Sequence, residues 1–271
     1  MTFNAPLAVR APPRFATPHR AAADPARGRP RVATASLLLI AALAALSGCD
    51  LGAPKVGATV PPDSLIAPVA GHPQPRAPVD AFVAHLDGFQ FRNGDLGSQQ
   101  RVQHYCASLG DEVMQCALFD GTGAQARLTG VEYVISERLF ADLPDDEKAY
   151  WHSQVHQVKA GTLVAPGLPE EVEHALASRL VRTYAKAWRL WPDGDGPVPR
   201  GVPQLMMGFT GDGQLDPVLL SERDREIGVA SAEKKRQRAD IPATRPADGA
   251  DAWQQGRVAQ VQGAVGSGGA R

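Results

Sequence analysis

Apolar and polar positions alternate in short bursts along this chain, and most of the bursts fall in its middle. "EVMQCALFD" and "ARLTGVEYVIS" are rich in branched and aromatic residues and are separated by "DGTG". This pattern predicts a hairpin of two strands. "QVKAGTLVAPG" reads as a third strand and "PQLMMGF" as a fourth. Pro144 followed by Asp145, Asp146 and Glu147 opens a helix with its acids against the dipole and Trp151 near its end. Over 169–191, Val172, Leu176, Leu180, Tyr184 and Trp188 recur every four residues and Pro192 follows, which predicts one long amphipathic helix. Strands and helices mix without strict alternation. The expected fold class is therefore α+β, a single domain with a small, mainly antiparallel sheet and that helix.

The flanks read differently. Residues 32–46 are uncharged and apolar but too short to span a bilayer, which needs roughly 20 such residues. Residues 50–79 hold seven prolines and few large apolar side chains, the composition of an extended tether. From 229 to 271, Lys234, Lys235, Arg236 and Arg238 mix with Gly and Ala without a periodic apolar face, and this stretch is expected to be a disordered tail. The expected organisation is a signal region over 1–48, a tether over 49–79, a folded domain over 80–228 and the tail.

The charge balance sharpens this picture. The chain carries 28 Lys and Arg against 29 Asp and Glu. Six of the arginines and one acid, Asp24, precede Cys49, so loss of 1–48 leaves 22 against 28, a net charge near −6. Such a surplus repels phosphate backbones, and no nucleic-acid partner is expected. Arg27, Arg29 and Arg31 stand before the apolar run as a positive n-region would. Leu46-Ser47-Gly48-Cys49 is similar to the lipobox of bacterial lipoproteins. A generic secretory signal and an Arg-rich transit peptide are the other readings of this segment. The lipobox resemblance implies that the Cys49 thiolate takes a diacylglyceryl group and becomes the first mature residue. Multiple acyl chains hold a protein stably at a bilayer. The expected location is thus the bacterial cell envelope, lipid-anchored and facing the periplasm.

Several longer phrases, in order, resemble the oil body-associated proteins: "HYCASLGDEVMQCALFD", "ARLTGVEYVISERLFADLPDDEKAYWHS", "VKAGTLVAPGLPE", "YAKAW" and "GVPQLMM". They cover about 103–207. The resemblance implies association with lipid droplets, as in the plant members, and no established molecular activity. Members read His-x-His after the Trp, whereas here position 154 is Gln and the next histidine is His156.

Candidate chemistry falls into three sets. His104, Glu132, His152 and His156 are residue types that bind zinc or non-haem iron, and on a strand 152 and 156 would share a face. The same residues also suit hydrogen-bonded structural roles. Glu132, if buried, needs a partner, and Arg127 or Arg138 would serve as well as a metal. Cys106 and Cys116 leave open a disulfide, buried free thiols, and catalytic or metal-binding thiols. The plant relatives live in a reducing cytosol, and this favours free thiols. Arg182, Tyr184, Trp188 and Arg189, on the expected long helix, suit either core packing or a lipid-facing surface.

The function these readings support is a lipid-anchored, non-catalytic protein that binds a lipid or other ligand at a membrane surface. The alternative is a metal-dependent enzyme built on His104, Glu132 and His152. No cofactor is expected, apart from a divalent metal should that set converge. The expected partners are the membrane, reached through acylated Cys49, and a lipidic ligand.

Overall fold

Two long strands joined at Asn93-Gly94 open the folded part of the computed structural model, which describes residues 62–69, 72–192 and 196–261. The signal region, Cys49 and most of the tether lie outside the described residues. The strands are β1 (Ala84–Arg92), β2 (Asp95–Ser108), β3 (Val113–Phe119), β4 (Leu128–Ser136), β5 (His152–Ser153), β6 (Thr183–Arg189) and β7 (Gln204–Met207). The helices are α1 (Ala77–Asp80), α2 (Glu137–Ala141), α3 (Asp145–Lys148), α4 (Val155–Lys159), α5 (Glu170–Leu180), α6 (Pro217–Ile227) and α7 (Ser231–Gln237).

The sheet closes on itself. Its order is β4-β3-β2-β1-β7-β6, and β4 also pairs with β6, so six antiparallel strands form a ring. Closure removes the exposed edges that an open sheet would present. β5 pairs with Tyr184 and Ala185 at the start of β6, on the same edge as β7 but beyond its end. Side chains alternate in and out along every strand. Leu86, Val102, Cys106, Cys116, Leu118, Ala187 and Met206 point inward and share one core with Ala177, Leu180 and Val181 of the α5 region. Outside the ring, Phe89, Phe91, Leu205, Met207 and Phe209 form a second cluster, against Leu219 and Leu220 of α6 and Trp253.

This architecture overturns the expected small sheet with one long helix. Helix α5 stops at Leu180, and 183–189 is a barrel strand. The periodicity misled because a spacing of four repeats on a strand face, period two, as well as on a helix face, period 3.6. Thr183, Tyr184 and Trp188 are strand formers, and pairing along both edges of β6 decides the matter. The third expected strand is α4 followed by a loop that bridges to β1 through Val164, paired with Asp87. The β3–β4 hairpin and β7 lie where their patterns placed them, and α3 starts where its acids predict but ends at Lys148, short of Trp151.

The stretch from 229 onward corrects the expected tail as far as it is described, to 261. Helix α7 forms there, and Ile241, Ala250 and Ala252 are buried. Arg238, also buried, donates to the carbonyls of Val158 and Leu163 at 2.9 and 2.8 Å and to Glu173 at 3.1 Å. A polar sequence can fold without an apolar stripe when its cations satisfy buried carbonyls.

Cys106 and Cys116 face each other across β2 and β3 and form a disulfide inside the barrel, with Cα atoms 4.1 Å apart. The preference for free thiols is thereby corrected: direct cross-strand register brings the two sulfurs together.

Candidate functional site

Gln90, His104, Glu132 and His152 meet inside the ring. Inward alternation places Gln90 on β1 with Leu86 and Gly88, His104 opposite Leu86, and Glu132 between Cys116 and Ala187. His152 enters from β5, paired with Ala185. Glycine and alanine neighbours leave room for these side chains. A Cβ on Gly88 would lie 3.4 Å from His104 Cε1, and one on Gly208 would lie 2.7 Å from His152 Cδ2 and strike Gln157.

Gln90 Nε2 donates to Glu132 Oε1 at 3.0 Å. His104 Nε2 stands 3.4 Å from Glu132 Oε2, and His152 Nε2 stands 3.9 Å from Glu132 Oε1. All four side chains are buried, His152 completely. Burial holds the His104 imidazole down to about 4, against backbone contacts that favour its charge. Burial, together with His104, holds His152 down to about 3. Burial pushes the Glu132 carboxyl up to about 8, although the Gln90 hydrogen bond opposes it. Burial thus favours the neutral form of both imidazoles and of the carboxyl, which makes their contacts polar rather than ionic.

The cluster is incompletely satisfied. Gln90 Oε1, His104 Nδ1 and both ring nitrogens of His152 have no hydrogen-bond partner. Buried polar atoms are nearly always partnered, so four such atoms in one place call for an explanation. Gln90, His104, Glu132, Gln154 and Gln157 also border a small cavity of about 10 Å³ among apolar neighbours. That is room for about one small occupant.

The other sequence candidates fall elsewhere. His156 lies in the first turn of α4 rather than on a continuing strand, and its Nε2 lies 3.9 Å from Asp212 near the surface. Arg127 pairs with Asp120 and Arg138 with Glu112, so neither serves Glu132. The four residues expected on a lipid-facing helix do not form one. Tyr184 is buried, stacked on Phe140 at 3.9 Å, and its hydroxyl accepts from the Ala247 amide. Arg182 pairs with Glu137, Arg189 donates to the Trp191 carbonyl, and Trp188 packs partly buried against the outer cluster. Cys49 lies outside the described residues.

Sequence reading missed Gln90, Gln154 and Gln157. The signal available for Gln90 was Asn93-Gly94 between two alternating runs, a strong hairpin mark that would have fixed its inward phase. It also missed Asp251, buried beside the site's outer wall. Asp251 accepts from the Ser153 amide and hydroxyl at 3.1 and 2.7 Å, at a positive φ of 52°. Burial pushes its carboxyl up to about 6.

A closed six-stranded antiparallel barrel with an uncharged polar cluster at its heart is the class of protein that fold and site define. A family model described as a protein of unknown function, DUF1264, matches residues 76–242. Oil body-associated protein 1A of Zea mays is 40% identical over 177 residues, 65% of this chain and 74% of that protein. Oil body-associated protein 1B of Arabidopsis thaliana is 37% identical over 177 residues, 65% of this chain and 73% of that protein. Oil body-associated protein 2C of Arabidopsis thaliana is 36% identical over 200 residues, 73% of this chain and 84% of that protein. No solved structure matches. The chain belongs to the oil body-associated protein family.

Proposed function

We propose that this chain is a lipid-surface binding protein, held at the envelope membrane through acylated Cys49. The observation that carries the reading is a set of exposed apolar side chains between that cysteine and the barrel. Leu65, Ile66, Val69, Val79 and Val83 are all exposed, Leu65 and Val83 by 101% and 86%, and all precede β1. Singly exposed apolar residues are ordinary, but five within 65–83 give this segment the apolar side chains that contact with a lipid surface would use. Acyl chains on Cys49 would bring a bilayer to the same end of the chain.

Two further facts support it. The relatives are named for oil bodies, which are lipid surfaces. The Cys106–Cys116 disulfide suits an oxidising compartment, the setting an exported protein enters. Among the described residues no helix is long and apolar enough to cross a membrane.

Replacing Cys49→Ala in the full chain is expected to abolish palmitate labelling and to leave the precursor uncleaved. Labelling in a bacterial host, followed by mass measurement of the product, checks this. A Cys49→Ala chain that is still labelled and processed after Gly48 would remove the anchor.

A further inference from the structure

We infer that the open end of the barrel beside α5 is a binding site for one single-chain amphiphile with a zwitterionic head, a lysophospholipid by chemical class. The inference extends the lipid-surface reading from contact to the capture of one molecule, and it rests on that reading only for the source of the ligand. The centre of the ring offers no such room. Eight strands already enclose little more than their own side chains, and six enclose less. The inner cavity bordered by Gln90 and His104 is about 10 Å³, and among the described residues no group of three or more His, Cys, Asp or Glu is placed to hold a metal ion. Space for a larger ligand begins where the strands stop.

β2 and β4 finish, and β3 and β6 begin, at one end of the ring, where Ser108, Val113, Ser136 and Thr183 stand. With the last turns of α5 they surround a cavity of about 580 Å³. That size is usual for small-molecule sites, and the mouths of β-barrels are a usual place for them. Val134, Ile135 and Leu180 are buried at its base, with Met114 and Leu176 half-buried beside them. Met114, Val134 and Leu180 also border the inner cavity, so the two share a wall.

The rim is charged and balanced. Arg138 pairs with Glu112, and Arg182 pairs with Glu137. Arg179 and Asp111 line the same cavity, are exposed, and have no partner among the described residues. An apolar base under one free cation and one free anion matches a chain whose head carries both signs. The Arg179 guanidinium takes the phosphate as a two-pronged donor, and the Asp111 carboxylate takes the ammonium. A purely anionic head would set its charge against Asp111, and a purely cationic one against Arg179. The location supplies the source. Ala84, the first residue of β1, is in register with Cys106 near the end of β2, so the chain that carries the exposed side chains of 65–83 enters the barrel at this same end.

The test uses the chain starting at Asp50, which keeps every described residue, with decyl amphiphiles below the concentrations at which they self-associate. Isothermal titration calorimetry is expected to find one decylphosphocholine per chain, bound at least tenfold more tightly than decyl sulfate or decyltrimethylammonium. Arg179→Glu should weaken decylphosphocholine at least tenfold. Ser178→Trp, which puts an indole into the cavity from an exposed position, should do the same. Circular dichroism reports whether each variant is folded, and should Ser178→Trp fail to fold, Arg179→Glu still decides. No binding of decylphosphocholine, a head of single sign bound as tightly, or wild-type affinity in either folded variant would overturn the site. Vesicle flotation reads residues 65–83 and is expected to be unchanged in Ser178→Trp. Failure of this site therefore leaves the lipid-surface reading standing, and failure of that reading leaves the calorimetric result standing.

Discussion

Replacing Arg223→Leu is expected to destabilise the protein by about 3 kcal/mol, toward the low end of the range for breaking a buried charged network, since its partners keep part of their pairing. Arg223 lies on α6, outside the barrel, with a side chain that is fully buried. Its guanidinium donates to the Thr162 carbonyl at 3.1 Å, to Ser231 Oγ at 2.8 Å and to Asp224 at 2.9 Å. It lies 3.4 Å from Asp87 Oδ1 and sits over the Phe89 ring at 4.9 Å. Asp87 keeps Arg101 at 2.7 Å and Gln103 at 2.9 Å, so the substitution orphans only part of its charge. The Thr162 carbonyl and Ser231 lose a donor outright. Urea unfolding should show a lower midpoint at an unchanged slope, the sign of lost stability rather than of a changed unfolded state. A loss below about 1 kcal/mol would mean that α6 does not fasten the chain after β7 to the barrel wall.

Cutting the cross-strand disulfide has the next largest expected effect. Cys106 and Cys116 enclose a short loop, and chain-entropy reasoning gives about 3 kcal/mol for a closure of this size. In a chain that starts at Asp50, these two are the remaining cysteines of the three in the sequence. Thiol titration in denaturant should find no free thiol before reduction and two after it. The double substitution Cys106→Ala with Cys116→Ala, or reduction of the native protein, should lower stability by that amount. Two free thiols in protein isolated from an oxidising compartment would show that the pair is reduced in the folded barrel.

Much of the barrel could be read from the sequence, but its closure could not. The β3–β4 hairpin was legible because branched and aromatic residues alternate on both sides of "DGTG". β7 was legible from "PQLMM". β1 and β2 were obscured because their inward positions carry Gly88, Gln90 and His104, which weaken the apolar alternation that marks a strand. Residues 169–191 failed for a different reason. Four-residue spacing belongs to both helix and strand, and only the partners of β6, more than forty residues away in β4, separate the two.

The candidate site shows the same limit. His104, Glu132 and His152 could be picked out by residue type, but their convergence depends on β4 meeting β6 and on β5 filling the gap beside β7. His156 was grouped with them on the assumption of a continuous strand. The strand ends at Ser153, α4 begins at Val155, and the histidine turns away. Residues 229–261 were misjudged because their contribution comes from buried arginine and backbone contacts, which leave no periodic trace.

The central claim is that the segment before the barrel meets a lipid surface, and vesicle flotation tests it most directly. A chain starting at Asp50 carries no acyl group, so any binding must come from its own residues. It is expected to float with phospholipid vesicles, and replacing Leu65, Ile66, Val69, Val79 and Val83 together by Ser should leave it at the bottom of the gradient. Those five side chains are exposed, so the change should not disturb the core. Flotation that survives the five substitutions, or no flotation of the unsubstituted chain, would contradict the account.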